Sequence, residues 1–372
     1  MRIPLSAPDI SESEIESVVQ VLRSLRLSLG PKLEEFERNT AEYAGTKHAV
    51  AVNSGTSGLH LCVRAIRLKA GDEVITTPFS FVASANVLLY EKAVPVFVDI
   101  DPKTLNIDAG KIEAAITAKT KAIMVVHVFG RPSPMREIME IANRYNLKVI
   151  EDACEAIGAE YGNRRTGSIG DAGVFAFYPN KQITTGEGGM IVTNDDSIAE
   201  QAEILRNQGR DASSEWFEHI ELGFNYRLSD INCALGIEQL KRLDFILNQR
   251  ESAARKYQER LKNNPHLVLP EIDFPRGRVS WFVYVVRLNE NYTRAQRDSI
   301  IVEMNRRGIG CGRYFAPIHL QPFYVKTFGF KTGNFPTAEH AAERVIALPF
   351  FNRITDAQID EVGEMLEKLT VS

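Results

Sequence analysis

The sequence predicts an α/β protein with a mostly parallel, seven-stranded sheet flanked by helices, followed by a smaller C-terminal α+β domain. Short apolar runs alternate with stretches of helical periodicity along the first half of the chain. This alternation is typical of βαβ units, whose parallel strands are covered by helices on both faces. After Pro265 the pattern changes to a strand followed by helices. We therefore predict a large domain at residues 1–245 and a small domain at residues 246–372.

The elements follow one another in a regular order. Two amphipathic helices are predicted between about residues 10 and 45, and Gly30-Pro31 separates them. The apolar runs predicted as strands of the large sheet are HAVAV (48–52), EVITT (73–77), VPVFV (94–98), AIMVV (122–126), KVIED (148–152), GVFAFY (173–178) and GMIVTN (189–194). The later predicted elements are helices at 197–206 and 229–263, a strand at 281–288, and helices at 298–308 and from Asp356 onward.

The composition excludes several classes of protein. The chain has 372 residues, of which 44% are hydrophobic and 25% charged, as in an ordinary globular protein. Its 44 Lys and Arg against 48 Asp and Glu give a net charge of −4, and no basic segment suits a nucleic acid. Apolar stretches fall short of the roughly 20 residues that span a bilayer, and we expect no membrane segment. The four cysteines lie far apart, which predicts no metal site and reduced, cytoplasmic thiols.

The first candidate site motif is NSGTSGLHL (53–61), which follows a predicted strand and opens a helix. Ligands of an open parallel sheet bind beyond the carboxyl ends of its strands. Free N–H groups at the helix start, the small Gly55 and the hydroxyls of Thr56 and Ser57 suit a phosphate group. Taken alone, the motif is more typical of a plain strand-to-helix turn with a Ser or Thr N-cap.

Three further positions follow other predicted strands. Asp152 ends KVIED, where a buried carboxylate requires a cationic partner, and Glu155 could reach the same site or cap a helix. A salt-bridged structural Asp152 explains that motif equally well. Lys181 lies in a short loop between buried strands, where desolvation favours the reactive, uncharged amine. Phe81 offers a flat apolar face, although a single aromatic is more typical of a core.

Together these motifs predict a site for pyridoxal 5′-phosphate. The loop at residues 55–57 would hold the phosphate, and Phe81 would cover the ring. Asp152 would keep the ring nitrogen protonated, so that the ring withdraws electrons from the substrate carbon. Lys181 would carry the aldehyde and move the substrate proton. Each signal is weak alone, and the combination is specific.

The chain resembles the nucleotide-sugar aminotransferases of the DegT/StrS family, from IPLSAPDI at its start to PIHLQPFY (317–324). The resemblance implies fold type I of the pyridoxal-phosphate enzymes. It also implies that Asp152 pairs with the pyridine nitrogen, that Lys181 carries the cofactor, and that Gly55, Thr56 and Ser57 hold its phosphate. Phe81 matches the stacking aromatic, and Glu155 lies near the phenolic oxygen of the ring.

The resemblance further implies a homodimer whose subunits share their active sites. In GFNYRLSD (223–230), Asn225 matches a residue that reaches the phosphate in the neighbouring subunit, and Arg227 lies in the same segment. Two positions depart from the family. Ala176 replaces a Ser that ligates phosphate in many relatives, and Glu155 replaces a Gln or His. A carboxylate near a phenolate is unfavourable unless Glu155 is protonated or turned away.

The resemblance implies transfer of the amino group of L-glutamate to the ketone of a nucleotide-linked 4-keto-6-deoxy sugar. KQITTGEGG and the segment at residues 208–230 resemble perosamine-type enzymes, which favours C4 and leaves the nucleotide open. His319 and Tyr314 are candidates to contact the sugar, although packing is the simpler role for Tyr314. Arg313 and Arg227 could bind the glutamate carboxylate or a diphosphate, and a surface role suits Arg313 nearly as well.

Three other functions remain open at this stage. The first is a C3 aminotransferase acting on a dTDP-3-keto sugar. The second is a nonenzymatic regulator that keeps the fold, which the presence of both Lys181 and Asp152 and the absence of a helix-turn-helix pattern disfavour. The third is a nicotinamide-dependent enzyme, which the missing glycine fingerprint after the first strand disfavours.

Overall fold

A seven-stranded, mostly parallel sheet forms the centre of the large α/β region in the computed structural model, which describes residues 2–211 and 218–371. Its strand order is β1-β9-β8-β5-β4-β2-β3. Strand β9 runs antiparallel to its neighbours β1 and β8, and the other pairings are parallel. The predicted fold class and strand number are confirmed.

The strands of the described residues form three sheets. They are β1 (His48–Val52), β2 (Glu73–Thr76), β3 (Val94–Phe97), β4 (Thr120–Val126), β5 (Lys148–Asp152), β6 (Glu160–Tyr161), β7 (Arg164–Arg165), β8 (Ala172–Ala176), β9 (Gly189–Thr193), β10 (Leu267–Val268), β11 (Gly277–Arg278), β12 (Tyr284–Leu288) and β13 (Val345–Leu348). Besides the large sheet, β10-β12-β13 and β11-β6-β7 form two sheets of three strands.

The helices cover the large sheet and pack against both faces of the β10-β12-β13 sheet. They are α1 (Glu12–Ser24), α2 (Pro31–Ala44), α3 (Gly55–Ala65), α4 (Ala83–Tyr90), α5 (Ala109–Ile112), α6 (Met135–Tyr145), α7 (Asp196–Arg206), α8 (Asp230–Lys241), α9 (Leu243–Leu261), α10 (Arg294–Arg306), α11 (Pro322–Phe328), α12 (Pro336–Arg344) and α13 (Asp356–Val371).

Alternation along the strands explains how both faces of the large sheet are covered. In β1, Ala49 and Ala51 belong to the core that contains residues of α2 and α8. Val50 and Val52 point to the other face and belong to the core that contains residues of α3 and α7. Because both faces are buried, the strands are apolar along most of their length, which is why they could be recognised in the sequence.

A separate core lies around the β10-β12-β13 sheet. It combines residues of α9, α10 and α13 with Ile3 from the start of the chain. Ile3 also forms a parallel bridge with Ile309, so the first residues of the chain pack with the C-terminal region. The predicted division at residue 245 falls within α9 and stays a prediction.

The helix predicted at residues 229–263 is divided in the structure. Helices α8 and α9 meet at Arg242, whose backbone angles are φ −97° and ψ 0°. The Arg242 guanidinium forms ion pairs with Asp9 and Glu14 near the start of the chain. A contact with residues so distant in sequence cannot be read from helical periodicity. Across the described ranges, no helix is both long and apolar enough to cross a membrane.

Candidate active site

A cavity of about 470 Å³ opens at the carboxyl ends of β1, β2, β5 and β8. This is the edge of a parallel sheet where ligands bind. The predicted site residues that line it are Gly55, Thr56, Phe81, Asp152, Glu155, Lys181 and Tyr314. The structure therefore brings together one cation, two carboxylates, a helix start and aromatic rings from distant parts of the sequence.

The first turn of α3 forms one wall of the cavity. Ser54 caps the helix, because its hydroxyl accepts a hydrogen bond from the N–H of Ser57 over 3.1 Å. The N–H groups of Gly55 and Thr56 are among those that no carbonyl within a helix can reach. Together with the positive end of the helix dipole, they suit an anion. The Ser57 hydroxyl donates to Asn53 Oδ1 over 2.6 Å, and Ser57 does not line the cavity.

Gly55 allows α3 to approach β8 closely. A Cβ atom at this position would lie 2.7 Å from the Cβ of Ala176 and 2.8 Å from the Sγ of Cys154. Both distances are shorter than van der Waals contact, so a larger residue would push the helix start away. The small side chain of Ala176, which departs from the family pattern, therefore packs directly against the first turn of α3.

Asp152 lies at the end of β5 and is 6% exposed. Its Oδ2 accepts a hydrogen bond from the Ser84 hydroxyl over 2.6 Å, and its Oδ1 accepts from the N–H of Cys154 over 3.2 Å. These partners are neutral, whereas we had expected a cation. Ser84 was missed in the sequence, although it lies in the same TTPFSFVAS segment as Phe81. Phe81 lies just before Val82, the N-cap of α4, and its carbonyl accepts a hydrogen bond from the N–H of Ser84 over 3.3 Å.

Lys181 extends into the cavity from the loop after β8. Its Nζ lies 3.7 Å from Glu155 Oε1 and 4.0 Å from the centre of the Phe282 ring, and the side chain is only 13% exposed. The aromatic face attracts the ammonium group, so the amine has a carboxylate on one side and a ring on another. The sequence analysis did not identify Phe282, which lies in the segment just before β12.

Glu155 is turned towards Lys181 and not away from the site. Its Oε2 accepts a hydrogen bond from the N–H of Phe129 over 3.0 Å. Burial raises the pKa of Glu155 above its ordinary value, while the Lys181 ammonium and the Phe129 N–H act in the opposite direction. A glutamate is acceptable beside a phenolate if it is protonated or turned away from the site. The structure favours the first arrangement, because Glu155 faces the site and burial makes it bind a proton more readily.

Aromatic side chains surround the cavity mouth. Phe81 and Tyr178 are 62% and 51% exposed, and Tyr314 lines the opposite wall beside Phe282. Asn180 also lines the cavity, and its Oδ1 is buried without a hydrogen-bond partner among the described residues. A buried acceptor without a donor is costly, and a ligand in the cavity can supply one.

Asn225 and Arg227 lie outside this cavity. The Asn225 side chain is exposed. The main-chain carbonyl oxygen of Asn225 accepts a hydrogen bond from the Asn53 side chain. The Arg227 guanidinium donates to Asn207 Oδ1 over 3.0 Å. Both residues were predicted to act across subunits, which a single chain does not test. Part of the perosamine-like segment at 208–230, namely residues 212–217, lies outside the described residues.

His319 and Arg313 also lie away from the cavity. His319 is fully buried, with its ring against Phe335 and its Nε2 2.9 Å from Glu339 Oε1. This placement gives His319 a packing role, and its predicted sugar contact stays a prediction. Arg313 is half exposed, pairs with Asp298 over 3.1 Å and lines a neighbouring cavity of about 300 Å³.

The sequence matches the model of the DegT/DnrJ/EryC1/StrS aminotransferase family over residues 8–367. The chain belongs to this family. It is therefore an aminotransferase, as its resemblance predicted. Among the curated relatives of this DegT-family chain, the GDP-perosamine synthase of Caulobacter vibrioides is 41% identical over 378 residues, covering 100% of this chain and 99% of that protein. The spore coat polysaccharide biosynthesis protein SpsC of Bacillus subtilis is 38% identical, covering 99% and 97%.

Solved structures confirm the fold predicted for a DegT-family chain. PseC of Helicobacter pylori, an aminotransferase of pseudoaminic acid biosynthesis, superposes with a TM-score of 0.95 at 30% identity, covering 100% of both chains. The PLP form of the putative sugar aminotransferase Spr1654 of Streptococcus pneumoniae gives a TM-score of 0.94 at 29% identity, covering 100% of this chain and 99% of that one. The fold is that of the type I aminotransferases.

Proposed function

We propose that this DegT-family aminotransferase uses pyridoxal 5′-phosphate to move the amino group of L-glutamate to the C4 ketone of a nucleotide-linked 4-keto-6-deoxy sugar. The observation that carries the proposal is that Lys181 and Asp152 line one cavity together with the first turn of α3. An amine, an acid and an anion-binding helix start are the three groups that this cofactor needs.

The chemistry of the cavity fits the cofactor. Gly55 and Thr56 would hold its phosphate with the N–H groups of α3, and Asp152 would hold the protonated ring nitrogen. That nitrogen would add a cationic partner to the neutral donors of Ser84 and Cys154. The exposed face of Phe81 would cover the ring, and Asn180 Oδ1 has acceptor capacity that the described residues leave unused.

When bound, the cofactor supplies an electron-withdrawing ring that stabilises negative charge at the substrate's amino-bearing carbon. Lys181 Nζ takes a proton from that carbon and returns it, a role that needs a flexible amine in a site with little water. Its side chain is 13% exposed, which meets that need. Asp152, fixed by Ser84 and by the Cys154 N–H, keeps its carboxylate oriented for the ring nitrogen.

The substrate class is inferred from the relatives and from the motifs. A perosamine synthase and a spore coat polysaccharide protein are each about 40% identical over nearly the full chain. The KQITTGEGG block after β8 is of the perosamine type, which supports amination at C4. The product would serve a surface polysaccharide or glycoconjugate. L-Glutamate is the amino donor that the resemblance implies.

We also infer that two copies of the chain share their sites. Phe81 and Tyr178 at the cavity mouth are more than half exposed in the single chain. Asn225, which precedes α8 by a few residues, is exposed as well. Exposed apolar side chains that lie together on a surface often mark an interaction site. A second subunit would cover them and would bring its own Asn225 and Arg227 towards the cofactor phosphate.

The test is an assay of the purified protein, loaded with pyridoxal phosphate, with L-glutamate and a panel of GDP-, UDP- and dTDP-linked keto sugars. The expected result is formation of 2-oxoglutarate and of a 4-amino sugar, with the position of the nitrogen assigned by NMR. Amination at C3 would overturn the regiochemistry. A protein that binds the cofactor and aminates none of the sugars would overturn the proposed substrate class.

A further inference from the structure

Three carboxylates and one lysine line the cavity, and the two buried carboxylates, Asp152 and Glu155, are not equivalent. Asp152 has hydrogen-bond donors on both of its oxygens, from Ser84 and from the Cys154 N–H. Glu155 has a donor on Oε2 alone, the N–H of Phe129. Its Oε1 faces the Nζ of Lys181 at 3.7 Å. Hydrogen bonds therefore stabilise the charge on Asp152 without Lys181. A negative charge on Oε1 of Glu155, in contrast, is stabilised by the Lys181 ammonium group.

Four ionisable groups face Glu155 from the surrounding elements. Asp152 comes from β5, Cys154 from the turn that follows, Tyr314 from the loop before α11, and Lys181 from the loop after β8. Burial raises the pKa of both the Cys154 thiol and the Tyr314 hydroxyl, so these two groups are neutral near pH 7. Among the described residues, Lys181 is thus the cation that favours the ionised form of Glu155, and Asp152 opposes it.

The backbone around Glu155 keeps the two partners in place. The Glu155 carbonyl accepts a hydrogen bond from Gln182, the residue after Lys181, over 2.6 Å. The Phe129 carbonyl accepts the N–H of Phe282, whose ring lies against Lys181. These hydrogen bonds hold the backbone at Glu155 beside the loop that carries Lys181, and they hold Phe282 beside the lysine side chain.

We propose that Glu155 and Lys181 share one proton, which resides on Lys181 Nζ when the lysine is charged and on Glu155 Oε1 when it is not. In the transfer, an N–H bond of the ammonium breaks and an O–H bond of the carboxyl forms, so the pair keeps its net charge. Moving the proton converts a buried ion pair into a neutral pair, which removes the cost of keeping two charges out of water. No proton from solvent is needed.

This inference deepens the proposed function, and its catalytic consequence rests on that function. Lys181 must lose its ammonium proton before its nitrogen can react with an aldehyde. Among the described residues, Glu155 has the carboxylate that lies within 4 Å of Lys181 Nζ, at 3.7 Å, and such distances commonly shorten when a ligand binds. Once protonated, Glu155 becomes a hydrogen-bond donor into the cavity, which a carboxylate cannot be.

The test compares Lys181→Met, which removes the charge, with Lys181→Arg, which keeps it, each with and without Glu155→Gln. Infrared spectra of the cofactor-free proteins at pH 7 report the carbonyl stretch of a protonated carboxylic acid. We expect this band in Lys181→Met, its loss in Lys181→Met/Glu155→Gln, and no such Glu155-dependent band in Lys181→Arg. A Glu155-dependent band of equal strength in the Met and Arg variants would overturn the proposal, as would its absence from both.

Stability against pH gives a second measurement on the same variants. A carboxyl whose pKa is raised in the folded state binds protons more tightly there than in the unfolded chain. The unfolding equilibrium constant of Lys181→Met should therefore increase by up to about tenfold per pH unit between the unfolded and folded pKa values of Glu155. This dependence should disappear in the double variant. Equal pH dependence in the single and double variants would contradict the inference.

The wild-type protein provides a third comparison, which needs no substitution at Lys181. Loading with pyridoxal phosphate should produce the carboxylic-acid band in the wild type and not in Glu155→Gln. A wild-type protein that takes up the cofactor without gaining the band overturns proton sharing and leaves the proposed function intact. A wild-type protein that never takes up the cofactor overturns the proposed function, while the cofactor-free Lys181 variants still decide the inference.

Discussion

Ser84 donates its hydroxyl proton to Asp152 Oδ2 over 2.6 Å, and this bond connects the first turn of α4 to the carboxyl end of β5. Ser80 lies one turn earlier, with its hydroxyl 2.9 Å from that of Ser84, so the two serines can form a donor chain that ends on the carboxylate. A hydrogen bond to a charged acceptor is stronger than one between neutral groups. The orientation of Asp152 therefore depends on a residue more than sixty positions away in sequence.

Ser84→Ala should destabilise the cofactor-free protein by about 1 to 3 kcal/mol, because a buried carboxylate oxygen loses its donor. Urea unfolding of the variant and the wild type measures this difference. Ser80→Ala is the matched control, since it removes a hydroxyl that contacts Ser84 and not the carboxylate. We expect it to cost about 1 kcal/mol or less. Equal losses of unfolding free energy in the two variants would show that the hydrogen bond to Asp152 stabilises the protein no more than the one between the two serines.

Lys181→Ala should lower the rate of glutamate conversion by at least about 100-fold, the scale of a well-placed proton carrier. The formation of 2-oxoglutarate measures the rate. Lys262→Ala is the control, because Lys262 is half exposed and pairs with Glu259 on the surface. In addition, borohydride treatment of the loaded wild type should label the peptide that contains Lys181. Label on a different lysine would disprove the assignment.

Ala176→Ser tests whether the turn of α3 is the phosphate site. Ala176 lies directly beside Gly55, so a serine hydroxyl there adds a donor next to the N–H groups of Gly55 and Thr56. One added hydrogen bond of about 0.5 to 1.5 kcal/mol corresponds to an affinity for pyridoxal phosphate roughly two- to tenfold higher. Equilibrium titration followed by absorbance measures it. Pyridoxal without its phosphate is the control ligand, and an equal gain for both ligands would contradict this placement.

The large sheet could be predicted from the sequence because its strands are buried on both faces. Runs such as Val149-Ile150 and Val50-Ala51 are apolar without interruption, and the polar residue that ends each run marks the edge where ligands bind. Asp152 and Lys181 were found in this way. Their position relative to the strand predicts the site without any knowledge of the tertiary contacts.

The partners of these residues could not be predicted by the same reasoning. Ser84 and Phe282 reach the site from elements that are far from Asp152 and Lys181 in sequence, and neither residue type is unusual for a loop or helix. His319 shows the converse limit, since the family-like segment PIHLQPFY suggested a sugar contact and the folded chain buries the histidine ring against Phe335. Burial of a polar residue depends on which segments pack over it, and sequence patterns do not contain that information.

Asn225→Ala tests whether the site is shared between subunits. The Asn225 side chain is exposed in the single chain, so its removal should leave the stability of the subunit unchanged. If a partner's Asn225 reaches the phosphate, the variant should release pyridoxal phosphate faster by roughly three- to tenfold. Release is followed by absorbance after dilution, and light scattering gives the oligomeric state. Asn291→Ala, at another exposed position, is the control, and unchanged release from Asn225→Ala would argue against sharing.

Glu14 makes the stability of the folded protein depend on pH in the acidic range. It is fully buried and accepts hydrogen bonds from the Ser11 N–H, from Gln239 and from Arg242, over 2.9, 2.7 and 2.7 Å. Burial alone raises the pKa of Glu14, and these hydrogen bonds outweigh burial, so its pKa is about 2. A carboxyl with a lowered pKa contributes stability above its unfolded value of roughly 4.3 and loses it as the pH falls towards 2.

Glu14→Gln should therefore lower the free energy of unfolding at pH 7 by about 2 kcal/mol, the scale of hydrogen bonds to a charged group. The difference from the wild type should shrink as the pH decreases from 5 to about 2, because the wild-type glutamate then loses its charge as well. Urea unfolding at a series of pH values measures both quantities. Glu12→Gln, at an exposed position of the same helix turn, should change neither. A difference for Glu14→Gln that stays constant down to pH 3 would mean that its ionised form is not what stabilises the contact between α1 and α8.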